Sequence, residues 1–172
     1  MKYRIFGVVL VLLIRVTFAV TPAIIPLPQQ MQVRPGVFTL CPAQPIFGAP
    51  AQAMTRILVD NASLETGQYL AGLLVKSTGF QFQVRTNGGG SPVKGAILLT
   101  TVNGLTSLGA EGYELTVAPD SMVVRAPAVA GVFYGVESLL QLLPPQVFAQ
   151  RPAQGVAWTA PCVYIQDQPR FP

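Results

Sequence analysis

The clearest pattern of apolar and polar positions lies between Val129 and Leu143. Apolar side chains recur there three and four residues apart, which is the spacing of one face of an α-helix. Two prolines follow directly, and proline cannot continue a helix. Outside this apolar face the segment has few polar residues, namely Glu137, Ser138 and Gln141. A helix that is apolar around most of its girth is expected to be covered on more than one side.

A second helical pattern runs from Ala62 to Thr78 and ends at Gly79, a residue type that favours the left-handed conformation after a helix. Runs of β-prone residues predict seven strands, at 31–34, 37–40, 80–85, 96–101, 113–118, 122–126 and 162–165. The dipeptides Pro35-Gly36 and Pro119-Asp120 each separate two neighbouring runs and predict hairpins. The predicted fold is therefore α+β, an antiparallel β-sheet with two helices packed on one face.

The first residues have a different pattern, in which Lys2 and Arg4 precede an apolar run from Ile5 to Ile14. Thr17 and Ala19 then supply small side chains at the positions that a signal peptidase reads. This arrangement predicts a signal peptide over residues 1–19. The run is shorter than the roughly 20 apolar residues that cross a bilayer, so no stable membrane anchor is expected, and an uncleaved anchor is the alternative. We expect a secreted or periplasmic protein.

Removal of this leader changes the charge of the chain. Lysine and arginine total eleven, against seven aspartate and glutamate residues. Three of the basic residues, Lys2, Arg4 and Arg15, lie in the leader, so eight remain against seven acidic residues and the net charge falls to about +1. A large basic excess would have favoured binding to nucleic acid. The sequence therefore predicts no nucleic-acid partner.

The residue types of the chain exclude several kinds of active site. The sequence contains no histidine and two cysteines. Without histidine, Ser-His-Asp and Cys-His catalysis and histidine-containing zinc motifs are excluded, and two cysteines alone do not form a zinc site. The carboxylates are scattered; Glu111 and Glu114 come nearest to a pair, but residues three apart in a strand point to opposite faces. The sequence predicts no catalytic residue, no substrate-binding residue, no metal site and no cofactor.

Two sites are candidates for covalent modification. Cys41 and Cys162 form a disulfide on one interpretation, since export places them where disulfides persist, and two buried thiols are the other interpretation. Asn61-Ala62-Ser63 is a glycosylation sequon, which matters in a eukaryotic source. Aromatic residues at strand spacing favour core positions over a sugar-binding platform, and they are Phe80, Phe82, Tyr113, Trp158 and Tyr164.

Four segments carry a resemblance to a known family. The most specific is residues 131–144, Gly-Val-Phe-Tyr-Gly-Val-Glu-Ser-Leu-Leu-Gln-Leu-Leu-Pro. The others are residues 109–115, Gly-Ala-Glu-Gly-Tyr-Glu-Leu; residues 25–28, Ile-Pro-Leu-Pro; and residues 163–172, Val-Tyr-Ile-Gln-Asp-Gln-Pro-Arg-Phe-Pro. Together, and across nearly all of the chain after the leader, they resemble the amino-terminal domain of family 20 β-N-acetylhexosaminidases.

The resemblance implies an accessory domain over residues 20–166, placed ahead of a (β/α)8 catalytic barrel that starts within residues 167–172. The family's sugar-binding arginine, Asp-Glu catalytic pair and aromatic pocket would then follow Pro172, and Arg170 would belong to the start of the barrel. Enzymes of this family remove terminal N-acetylhexosamine from glycoconjugates or from chitin- or peptidoglycan-type oligosaccharides, with the substrate's own acetamido group as nucleophile.

The chain is therefore expected to be an inactive amino-terminal fragment of an exported hexosaminidase, whose partner is the catalytic barrel. The alternative is a free-standing secreted module that binds a glycan or a protein. A row of exposed aromatic side chains on one face of the sheet would favour that alternative.

Overall fold

The computed structural model describes residues 22–42, 54–86 and 90–170. Seven strands and two α-helices lie in these ranges. The strands are β1 (Gln30–Thr39), β2 (Arg56–Val59), β3 (Val84–Thr86), β4 (Ala96–Thr100), β5 (Tyr113–Ala118), β6 (Ser121–Arg125) and β7 (Thr159–Asp167). The helices are α1 (Leu64–Thr78) and α2 (Val129–Leu142), and short 3₁₀ helices cover Thr106–Leu108 and Pro145–Phe148. The predicted signal peptide, residues 1–19, lies outside the described residues.

The strands form one mixed sheet in the order β1-β7-β5-β6-β4-β2-β3. The pairs β1–β7, β7–β5 and β5–β6 are antiparallel, whereas β6–β4, β4–β2 and β2–β3 are parallel. The predicted α+β class is confirmed, but half of the sheet is parallel rather than antiparallel. One physical reason is α1, which connects β2 to β3. A helical crossover returns the chain to the edge where the previous strand began, so the strands that it joins run parallel.

The hairpin predicted around Pro35-Gly36 is wrong. β1 passes through both residues as one strand, and both of its halves pair with β7, with a shift of register between Val33 and Val37. Pro35 has no N–H to donate to the ladder, and Gly36 adopts a φ of 106° that other residues rarely tolerate. The two residues therefore make an irregularity within a strand, because β7 offers a partner on both sides of them.

Elements with strong local signals are confirmed. The helices α1 and α2 and the β5–β6 hairpin all lie within two residues of their predicted bounds. Gly79 closes α1 in the left-handed conformation, with a φ of 74°. The sequence pattern does not predict β2, whose four residues are too few to show a period. The strand predicted at 80–85 shortens to β3, and the last predicted strand lengthens to β7, which has a neighbour on each side.

Both helices pack on the same face of the sheet and enclose the main hydrophobic core. On β5, Leu115 and Val117 point into this core, and Thr116 between them points to the other side, which we call the second face. A smaller apolar cluster lies apart from the main core. The predicted inner face of α2 is buried throughout and consists of Val132, Val136, Leu139, Leu140 and Leu143.

The helix α2 approaches the sheet closely at two glycines. A methyl group on Gly135 would overlap Cγ1 of Val124 and lie 3.1 Å from the ring of Tyr113. A methyl group on Gly131 would overlap the carbonyl oxygen of Gly112. These two glycines set the depth of the helix on the sheet, and that depth decides which of its side chains remain on the outer side.

Candidate docking face

The outer side of the two helices carries a group of partly exposed apolar side chains. They are Tyr69 on α1 and Val129, Phe133 and Tyr134 on α2, each between 39% and 44% exposed. We call this group the helix patch. The ring centroid of Phe133 lies 5.5 Å from that of Tyr69 and 6.0 Å from that of Tyr134. Clustered apolar side chains in contact with water are typical of interaction surfaces.

The helix patch differs from the polar stripe that the sequence pattern suggests for α2. Ser138 belongs to that stripe, yet it is 7% exposed and its hydroxyl lies 2.5 Å from the hydroxyl of Tyr113. Burial raises the pKa of Tyr113 to about 12, so this phenol stays protonated at neutral pH. Glu137 and Gln141 of the stripe are partly exposed, and Phe133 and Tyr134 are exposed beside them. The signal that identifies Phe133 and Tyr134 is an aromatic side chain outside the buried periodic face of the helix.

A cleft of about 400 Å³ adjoins the helix patch at Tyr134. Its walls come from residues 25–27 near the start of the described chain, from α2, and from residues 167–170 at its end. The carboxylates of Glu111 and Glu137 contribute to its polar lining. The cleft therefore brings the start and the end of the domain together beside the helix patch.

One hydrogen bond joins the two helices within this surface. The hydroxyl of Tyr69 on α1 donates to Oε1 of Glu137 on α2 at 2.9 Å. Partial burial raises the pKa of Tyr69, and the hydrogen bond to Glu137 and its negative charge raise it further. The phenol therefore remains a hydrogen-bond donor at neutral pH, and the two helices present their aromatic side chains in a defined arrangement.

Asp60, at the carboxyl end of β2, has a structural role. Its Oδ1 accepts the N–H of Ser63 at 2.8 Å, and its Oδ2 accepts the N–H and the hydroxyl of Thr101 at 2.5 and 2.7 Å. Burial acts to raise the pKa of Asp60, but the hydrogen bonds from Thr101 and Ser63 outweigh burial and hold the pKa below the usual 3.8. The carboxylate joins the start of α1 to the loop after β4, and its acceptor positions are used for that purpose.

The acidic residues nearest to a pair in the sequence do not come together. Glu111 lines the cleft, whereas Glu114 lies on β5 and accepts a hydrogen bond from the hydroxyl of Tyr164 at 2.9 Å on the second face. Within residues 22–42, 54–86 and 90–170, no three His, Cys, Asp or Glu side chains are grouped so as to hold a metal ion. Among the helices of those same ranges, none has the length and apolarity needed to cross a membrane.

The five aromatic residues considered for a sugar platform are mostly core residues. Tyr113 and Trp158 are each 4% exposed, and Phe80 and Phe82 pack against the main core from its edge. Tyr164 lies on the second face, where the guanidinium carbon of Arg34 is 5.5 Å from its ring centroid. These five residues therefore do not form a common surface.

The two candidate modification sites lie in different environments. Cys162 carries a free thiol that is 1% exposed, and burial raises the pKa of this thiol. Cys41 is partly exposed and follows β1, and a disulfide with Cys162 under oxidising conditions stays one of the two interpretations. Asn61 is exposed in the turn before α1, and its glycosylation also stays a prediction.

Residues 21–168 match the family model described as glycosyl hydrolase family 20, domain 2. The chain belongs to glycosyl hydrolase family 20. The Streptomyces plicatus N-acetyl-beta-hexosaminidase is 31% identical with a TM-score of 0.68, over 86% of this chain and 26% of that one. The GH20 beta-N-acetylhexosaminidase of Streptomyces coelicolor A3(2) is 28% identical with a TM-score of 0.67, over 83% of this chain and 26% of that one. The beta-N-acetylhexosaminidase of Bacteroides fragilis NCTC 9343 is 22% identical with a TM-score of 0.58, over 87% of this chain and 25% of that one. At this identity, the likeness supports the fold alone.

This family 20 chain spans about a quarter of the length of each of these solved structures. The predicted resemblance to the non-catalytic amino-terminal domain of the family is confirmed by the match to domain 2. Asp167 is the last residue of β7 and lies inside the matched range. The division of the chain at residue 167 between accessory domain and barrel stays a prediction.

Proposed function

We propose that this chain is the amino-terminal accessory domain of an exported β-N-acetylhexosaminidase. Such an enzyme removes terminal N-acetylhexosamine from glycoconjugates or from chitin- or peptidoglycan-type oligosaccharides. The observation that carries the proposal is the match of residues 21–168 to domain 2 of family 20, together with the quarter-length coverage of structures named as hexosaminidases. Hydrolysis would then belong to the part of the protein that this chain does not contain.

The partner that we propose for the helix patch is the catalytic domain of the same protein. The described chain ends at Arg170, which lines the cleft beside the patch. A domain that continues from this point starts next to the exposed helices, so a short connection brings the two surfaces together. Full burial of each partly exposed apolar side chain of the patch would stabilise the pair by roughly 1 kcal/mol.

The surroundings of Asp60, Glu111 and Glu114 support an accessory role for this domain. Asp60 is engaged by backbone and hydroxyl donors, and Glu137 accepts a hydrogen bond from Tyr69. Glu111 and Glu114 lie in the cleft and on the second face, so they cannot act on one glycosidic bond as an acid and its partner. We expect no hydrolysis by the 172-residue chain alone.

The decisive experiment compares two proteins made from the same reading frame. One is the 172-residue chain, and the other continues to the first stop codon of its gene. The extended protein should hydrolyse an aryl N-acetyl-β-glucosaminide, while the 172-residue chain should not exceed a buffer blank. Turnover by the purified short chain would refute the accessory role. An extended protein that folds but has no such activity would refute its assignment as a hexosaminidase.

Secretion or a periplasmic location is proposed from the pattern of residues 1–19. The intact mass of the exported product should correspond to a chain that begins at or near Val20, because Thr17 and Ala19 stand at the cleavage positions. A product that retains the first nineteen residues and sediments with membranes would contradict this proposal.

The alternative of a free-standing module that binds a glycan or a protein would be favoured by a row of exposed aromatic side chains on one sheet face. Tyr164 lies on the second face, and its cross-strand neighbours there are Gln32 and Thr116. The aromatic side chains that cluster at the surface lie on the helices instead. The observed placement therefore favours the accessory domain.

A further inference from the structure

The residues before β1 form a segment that bends at Ile25 and Pro26 and lies against α2. Its ends are anchored, since Ile24 is 4% exposed and Pro28 is buried. Between these anchors Ile25 and Leu27 are 80% and 63% exposed, more than any other large apolar side chain in the described part of the chain. We call residues 24–29 the strap. Two aliphatic side chains held this far into water need an explanation.

Hydrogen bonds fix the strap in position. Gln141 of α2 accepts the N–H of Ile25 through Oε1 at 2.9 Å and donates from Nε2 to the carbonyl of Ile25 at 3.2 Å. Gln29 donates its N–H to Oδ1 of Asp167 at 3.1 Å and its Nε2 to the carbonyl of Gln168 at 3.0 Å. The strap is tied both to α2 and to the end of β7. The side chains of Ile25 and Leu27 are therefore exposed although hydrogen bonds hold the strap in place.

The strap also touches the place where the described chain ends. Arg170 donates from Nη2 to the carbonyl oxygen of Leu27 at 2.5 Å. Ile25 and Leu27 line the cleft together with Tyr134 of the helix patch. Strap, helix patch and chain end thus form one continuous surface, and a domain that follows the chain end begins beside the strap.

We propose that the strap is the second half of the docking surface, and that the catalytic domain of the same protein buries Ile25 and Leu27. This inference rests on the proposed accessory function. The charges of the cleft point to the chemistry of that domain's surface, because the cleft is lined by three acidic residues, Glu111, Glu137 and Asp167, and by one basic residue, Arg170. A carboxylate that becomes buried needs a partner, so the matching surface is apolar and places a basic side chain in the cleft.

The test uses the protein extended to its stop codon, and trypsin as the probe of the chain end. Trypsin releases a fragment that ends at Arg170 when docking opens, and the cleavage rate follows the open population. Ile25→Ser combined with Leu27→Ser should raise that rate about tenfold or more, since this is the least that buried aliphatic side chains contribute to such an equilibrium. Val37→Ser is the matched control, because Val37 is 52% exposed on β1, away from the strap, and the rate should not change.

A helix-patch variant, Phe133→Ser with Tyr69→Ser, separates this inference from the proposed function. If it is cleaved faster while the strap variant is cleaved at the unmodified rate, the strap inference is wrong and docking through the helices stands. If neither variant is cleaved faster, both the strap inference and docking through the helix patch are wrong. Circular dichroism of the 172-residue variants checks folding. If the variant with Ile25→Ser and Leu27→Ser does not fold, the milder variant with Ile25→Ala and Leu27→Ala replaces it. Trypsin should also cleave this variant faster than the unmodified protein.

Discussion

Truncation of Leu139 and of Phe133 to alanine separates the two sides of α2. Leu139 is fully buried in the main core between the helix and the sheet, whereas Phe133 is 39% exposed in the helix patch. Alanine has the highest helix propensity, so neither change weakens the helix itself. The difference between the two variants therefore reports on packing.

The expected magnitudes follow from these environments. Removal of a fully buried leucine side chain leaves a cavity and costs about 2–5 kcal/mol. Phe133 loses its contacts with the rings of Tyr69 and Tyr134 and part of its own burial. Aromatic pairs contribute about 0.5–1.5 kcal/mol, so we expect a cost of about 1–2 kcal/mol for Phe133→Ala. In a domain of this size these costs lower the melting temperature by about 4–20 °C and about 2–8 °C respectively.

Urea unfolding of the 172-residue chain measures both costs. Trp158 is the one tryptophan of the sequence and is 4% exposed, so its fluorescence follows the loss of the core. With a common slope of roughly 1–3 kcal/mol per molar urea, the midpoint should fall further for Leu139→Ala than for Phe133→Ala, by about twofold at the centres of the two ranges. Light scattering should show less self-association for Phe133→Ala than for the unmodified chain, because the patch is smaller. Equal midpoints, or a larger loss for Phe133→Ala, would refute this orientation of α2.

Three further predictions concern Asp60 and two glycines. Asp60→Asn should cost about 1.5–3 kcal/mol at neutral pH, because charge-assisted hydrogen bonds are lost. Since the pKa of Asp60 is held below 3.8, its stabilisation is present above that pH and disappears as the pH falls through the lowered value. Urea midpoints of Asp60→Asn and of the unmodified chain should therefore converge in acid, and the exposed control Asp120→Asn should cost much less than Asp60→Asn at neutral pH. Gly135→Ala should destabilise by about 1–2 kcal/mol because the added methyl overlaps Val124. A methyl group on Gly72 would meet no neighbouring element within 4 Å, so Gly72→Ala should stabilise α1 by up to about 1 kcal/mol. Melting temperatures that shift in the same direction for Gly135→Ala and Gly72→Ala would contradict the close packing of α2.

The sequence by itself determined the elements whose signals are local. The hydrogen bonds of a helix or a tight hairpin join residues that are close along the chain, so spacing and turn residues are enough to identify them. This applies to α1 with Gly79 at its end, to α2, and to the hairpin around Pro119-Asp120. The segment 131–144 also determined the family, and the match to domain 2 confirms it.

Tertiary structure decided the features that depend on distant partners. The dipeptide Pro35-Gly36 predicts a turn. In the structure, β7 pairs with β1 on both sides of this dipeptide and keeps the segment in one strand. The parallel half of the sheet consists of β6, β4, β2 and β3. It depends on the crossover through α1 and on the order in which these strands lie side by side. Leu139 and Leu142 are both buried, whereas Phe133 on the same helix is partly exposed. An apolar side chain carries the same hydropathy on either side of a helix, and its exposure is set by the depth at which the helix packs on the sheet and by the side that no other element covers.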